Sequence, residues 1–217
     1  MDQTLRVSGT GRMSVKPDTI QLFLTLNDHF SSYEEAIETS ALWTDQLKQA
    51  FSKKKFKKTE LTTLHFSIDS HFENERDPDG QYRQKFSGYR FNHQLSIEFE
   101  ADHKRLGDAL TAIITSAVPV EFNIHYAVKN VKAIKEQLLQ KAVSDAADTA
   151  RLLALSAKVK LGKMLQIHYG KEELIFRQET MRSARFQGQD IQASLSLDIE
   201  PGELNFEETV EIIWEIS

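Results

Sequence analysis

Val7-Ser8-Gly9-Thr10-Gly11-Arg12-Met13-Ser14-Val15-Lys16-Pro17-Asp18 is the stretch from which the fold is read. It has the look of a strand carrying two glycines and stopped at Pro17-Asp18, after which the chain resumes as the apolar strand Ile20 to Leu26. Proline has no backbone N–H and a fixed φ, so it ends a ladder. Glycine inside a strand marks a bulge or a place where another backbone comes close. The pair is no dinucleotide fingerprint: the third glycine is missing, and no helix opens after it. Residues 5–15 and 19–30 are therefore expected to be strands, joined as a hairpin around Lys16-Pro17-Asp18.

Working outward, Ile20, Leu22, Leu24 and Leu26 alternate with Thr19, Gln21, Thr25 and Asn27, the period of a half-buried strand. Ser31 or Ser32 can cap a helix to about Phe51, with Ile37, Ala41, Thr44, Leu47 and Phe51 as its buried stripe. Strands at about 60–73 and 82–100 flank Asp77-Pro78-Asp79-Gly80, whose residues suit a turn, so a long hairpin is predicted. Its inner faces are read as Leu64, Phe66, Ile68 and Phe72 on one arm and Tyr89, Phe91, Leu95, Ile97 and Phe99 on the other, with His93 among them.

Asp102 begins a short helix, about 103–116, with Leu106, Leu110 and Ile113 or Ile114 inside. Val118 to Val128 alternates as a strand. Asn130 caps the longest helix, about 131–158, with the inner stripe Val131, Ile134, Leu138, Ala142, Ala146, Thr149 and Leu153. Its second half is rich in alanine, which favours helix and lets a helix approach its neighbour closely. A strand at 161–169, a polar loop at 171–189, a strand at 191–199, a Pro201-Gly202 turn and a last strand through Val210, Ile212, Trp214 and Ile216 complete the chain.

The order ββαββαβαβββ predicts an α+β protein of two strand-rich units with helices packed on one face. It fits a single domain over 1–217 or two intimately packed subdomains, about 1–117 and 118–217.

Composition narrows function. The 217 residues are 40% hydrophobic and 27% charged, an ordinary globular balance. With no cysteine, a disulfide framework, a thiolate metal site and a cysteine nucleophile are excluded. A net charge of −5 argues against a general nucleic-acid binder. The run Lys53-Lys54-Lys55-Phe56-Lys57-Lys58 is either a polyanion contact or the basic end of a helix opposing the dipole; the second requires less. No apolar run is long enough for a membrane span. No basic-then-apolar leader opens the chain, so a cytoplasmic protein is expected.

No P-loop, H-E-x-x-H, G-x-S-x-G or EF-hand pattern occurs. The best constellation is His65, Ser67, Asp69 and His71, which share one strand face. Two histidines and an aspartate are metal-ligand types, and a histidine could activate Ser67. Side chains on one straight strand project in parallel rather than converge, so a solvated polar face is the leading reading. His65, Asp69 and His71 stay as candidate metal ligands, which His93, His125 or His168 could complete.

Several stretches together resemble the SIMPL (DUF541) family. They are Val7 to Asp18; the helix with Ala36 and Ala41 leading to Leu61-Thr62-Thr63; Gly88-Tyr89-Arg90-Phe91 before Leu95-Ser96-Ile97; Lys141-Ala142 and Asp145 to Ala150 ending in Leu161-Gly162-Lys163; and Glu200-Pro201-Gly202-Glu203. The resemblance spans about 5–216. It implies an α+β fold with no known catalytic apparatus, self-assembly as in some ring-like or channel-like members, and a loose link to oxidative stress; a eukaryotic namesake is a signalling adaptor.

The expectation is thus a non-enzymatic, cofactor-free, self-assembling protein. The alternative is an adaptor or ligand-binding module using the 74–85 hairpin tip or the 171–189 loop. An enzyme built on the His65–His71 face stands third.

Overall fold

The computed structural model describes residues 3–76, 82–170 and 202–217. The predicted turn at 77–80, loop at 171–189, strand at 191–199 and the Pro201 turn lie outside these residues. In chain order the elements are β1 (Thr4–Val15), β2 (Thr19–Phe30), α1 (Tyr33–Lys53), β3 (Thr62–Arg76), β4 (Tyr82–Glu100), α2 (His103–Ser116), β5 (Glu121–Ala127), α3 (Val131–Ala157), β6 (Leu161–His168) and β7 (Leu204–Ile216). The α+β expectation holds: among the described residues the strands form two antiparallel sheets, accompanied by three α-helices.

The chain forms two compact units, and it passes between them at Pro17/Asp18 and at Ala127/Val128. The expected β1–β2 hairpin does not form. β1 pairs along its whole length with β7, Thr4 facing Glu215 and Val15 facing Leu204. β2 pairs instead with β4 and β5. Lys16-Pro17-Asp18 is a crossing point between sheets rather than a turn within one: Asp18 already donates its amide to Ala127 and accepts from the Ala101 amide. Local turn chemistry cannot reveal this, because β7 lies at the other end of the chain.

One unit carries the sheet β3-β4-β2-β5. Ile20, Leu22, Leu24 and Leu26 of β2 and Phe91, Leu95, Ile97 and Phe99 of β4 are buried on one face, against α1 and α2. Ser32 caps α1 by accepting from the Glu35 amide, and Asp102 caps α2 through the Lys104 amide. The buried stripe of α1 is Ala36, Ser40, Leu47, Ala50 and Phe51, whereas Ile37 and Ala41 face out. Small residues, not the larger Ile37, face the sheet because they let the helix come close. In α2 it is Ile113 that is buried, not Ile114.

The lysine run ends α1. Lys54 forms its C-cap and pairs with Asp108 at 3.6 Å, while Phe56 folds into the core under the Arg105 guanidinium, 3.6 Å from the ring centre.

The other unit carries the sheet β1-β7-β6 with α3 packed across it. Asn130 caps α3 through the Ala133 amide. The buried line is Ile134, Leu138, Ala142, Ala146, Ala150 and Ala154, so the expected Thr149 and Leu153 give way to alanines. Strict four-residue spacing makes a row inclined to the helix axis, which follows the twist of a sheet beneath. Under it lie Val7, Phe206, Val210, Ile212 and Trp214. Gly9 and Gly11 are where helix and strand meet. A Cβ on Gly9 would collide with the Ala142 carbonyl and Ala146, and one on Gly11 with the Leu138 carbonyl.

Candidate functional site

β3 carries the predicted constellation. A bulge at Leu64 precedes it, since Thr63 faces Leu95 and His65 faces Gln94. Beyond it His65, Ser67, Asp69 and His71 stand opposite Gln94, Asn92, Arg90 and Gly88, on the sheet face away from the helices. The four share a face as expected, but they do not converge. Ser67 donates to Asp69 at 3.0 Å rather than to a histidine. An Arg90 N–H points at His71 Nε2, 3.4 Å away, and the His71 ring meets the His29 ring edge-on at 4.9 Å between centres. Among the described residues no three His, Cys, Asp or Glu side chains are grouped to hold a metal. His125 packs edge-on against Phe23, and His168 sits in the other unit beside Gln166.

His93 joins three elements. The Thr44 hydroxyl donates to the Ser40 carbonyl at 2.7 Å, so its oxygen is left to accept from His93 Nδ1–H at 3.1 Å. On the other side of the ring the Thr63 hydroxyl lies 2.9 Å from Nε2, and with the proton on Nδ1 it is the hydroxyl that donates. This is the hydrogen-bond pattern of a neutral ring carrying its proton on Nδ1. Burial, and then the charge of Lys48, lower its pKa below the usual histidine value. This is a polar pin between α1, β3 and β4. Its inward position was visible in the strand alternation; its hydroxyl partners were not.

In the other unit, Glu208 is an acid on the inward face of β7 with 8% exposure, between Phe206 and Val210. Its Oε1 lies 3.8 Å from Lys135 of α3 and has no hydrogen bond among the described residues. A hydrogen bond with Tyr169 raises the Lys135 pKa, the charge of Glu208 adding to it.

The sheet edges differ in how they are finished. On β1 the Thr10 amide donates to Asp145 at 2.8 Å, and Lys141 Nζ donates to the Arg12 carbonyl at 3.3 Å. Helix side chains thus occupy backbone groups that would template another strand. β6 is short and interrupted by register shifts. Among the described strands β3 is a long edge, and Leu64, Phe66 and Phe72 on it are 55%, 46% and 50% exposed. The sequence assigned these three to an inner face with Ile68: Ile68 packs on the core and Phe66 meets the buried His93 ring edge-on at 5.1 Å, but all three stay more than two-fifths exposed at the sheet margin. Towards the end of the arm Phe72, Phe86, Tyr89 and Tyr33 meet edge to face in series, with ring centres 5.3 to 5.8 Å apart.

Residues 5–214 match the family model SIMPL, a protein of unknown function (DUF541), and the chain belongs to that family. None of the curated proteins matches it. No helix among the described residues is long and apolar enough to cross a membrane.

Proposed function

We propose that this chain acts by assembly rather than by catalysis, and that β3 is the strand through which it associates with a second copy of itself. One observation carries the reading: a long strand that ends its sheet among the described residues and bears exposed Leu64, Phe66 and Phe72, while the β1 edge is closed by Asp145 and Lys141. Main-chain hydrogen bonding at an open edge supplies affinity, and alternate side chains supply specificity. A role in stress response rests on the family resemblance alone.

Sedimentation velocity across the micromolar range tests it. A reversible dimer or larger species is expected, weakened by Phe72→Lys. A strict monomer at tens of micromolar would remove the assembly reading. A second reading is favoured by the aromatic series Tyr33, Tyr89, Phe86 and Phe72: an adaptor that takes another protein on the same arm. It predicts a monomer whose partner capture is lost with Phe86→Ala while the fold is kept.

A further inference from the structure

The sequence of β3 restricts how two copies would meet, an inference that rests on the assembly reading above. A two-fold axis normal to the sheet joins two β3 strands antiparallel and keeps each face on its own side, so odd residues face odd and even face even. The choice of axis position then decides which charges meet. An axis through Asp69 sets that carboxylate against its own copy, and one through His71 sets Asp69 against Glu73. Like charges directly opposite each other are destabilising.

We propose that the axis passes through Ser70. Asp69 then faces His71, His65 faces Glu75, Ile68 faces Phe72 and Phe66 faces Asn74, each pair occurring twice. Each exposed phenylalanine gains a cross-strand neighbour.

The protonation pattern fits as well. His71 Nε2 is turned to an Arg90 N–H, so in the neutral ring the proton sits on Nδ1 as a donor for Asp69 of the second copy. Asp69 uses one oxygen to accept from Ser67, and the other accepts no hydrogen bond among the described residues. Glu75 holds Lys85 at 3.1 Å within its own copy, and a carboxylate has lone pairs for His65 besides. The register shift near His71 places its extra residue, Ser87, on β4, so β3 keeps its alternation from His65 through Glu75.

The absence of native cysteine allows a direct test. In Ser70→Cys the two thiols would lie directly opposite, with Cβ atoms about 4.5–5.5 Å apart. In Asn74→Cys, on the same face, they would be separated by roughly 26 Å. Mild oxidation is expected to convert Ser70→Cys, and not Asn74→Cys, into a covalent dimer. Independently, Glu75→Lys should weaken the dimer roughly tenfold, and adding His65→Glu should restore it. Dimerisation of the unmodified chain without preferential cross-linking at residue 70, or without rescue by the charge swap, would overturn this register and leave the assembly reading standing. A monomeric chain would overturn both.

Discussion

The backbone amide of Thr10 donates to the carboxylate of Asp145 at 2.8 Å, from the middle of an edge strand to the side of a helix. That bond depends on the glycines either side of Thr10. Without a Cβ at Gly9 and Gly11, α3 lies on the backbone of β1, close enough for Asp145 and Lys141 to reach over its edge.

Gly11→Ala should lower stability by about 2–3 kcal/mol, because the added methyl meets the Leu138 carbonyl, a backbone atom that cannot swing aside. Gly107 in α2 is the contrast. Nothing lies within 4 Å of a Cβ built there, and Gly107→Ala should stabilise by about 0.5–1 kcal/mol. Urea denaturation of the two variants measures both; equal effects would refute the close-approach account.

Asp145→Ala should cost only about 0.5–1.5 kcal/mol, the scale of one hydrogen bond. Its larger effect is expected on association, since it frees an amide on the β1 edge. Light scattering at rising concentration should show aggregates that the parent chain does not form. The same aggregation threshold in both would mean that the edge is protected by something else.

His93 predicts an acid limb to stability. Its folded-state pKa is lowered, so the native protein holds it neutral while the unfolded chain protonates below about pH 6.5. The contribution is fully present above that pH and is lost as pH falls towards the folded-state value. Unfolding free energy measured from pH 7.5 to 5 should fall, and His93→Gln should flatten part of the slope. An unchanged slope would assign the limb to other groups.

Lys135→Met should destabilise the unit holding α3 and β7, because it leaves the Glu208 carboxylate buried without its cation. Adding Glu208→Gln should recover much of the loss. Since Tyr169 first, and Glu208 after it, raise the Lys135 pKa, the lysine's contribution holds below the ordinary lysine pKa and is lost as pH rises through the folded-state value. Thermal melts of the single and double variants decide it: additive losses would show that the two residues act separately.

The elements and caps were legible in the sequence because they rest on neighbours. Ser32, Asp102 and Asn130 bond amides two or three residues away, and the alternation of Ile20 to Leu26 states its own buried face. Size misled where packing decides. Leu64, Phe66 and Phe72 are large and apolar but lie on an edge strand, whereas Ala36 and Ser40 are small and buried. Glu208 gave no local sign of burial, since an acid in a strand ordinarily faces water.

The segment from Val7 to Asp18 divides the two kinds of information. By itself the sequence determined that it is a strand needing close backbone approach at its glycines and that Pro17 ends it. That follows from Cβ sterics and a missing N–H, properties of the residues themselves. Only the tertiary structure decided that β1 pairs with β7, that α3 is the backbone lying on Gly9 and Gly11, and that β3 ends its sheet among the described strands. Strand pairing is a competition among all edges in the chain, and the partner that buries the most apolar surface at the right register can lie at the far end of it.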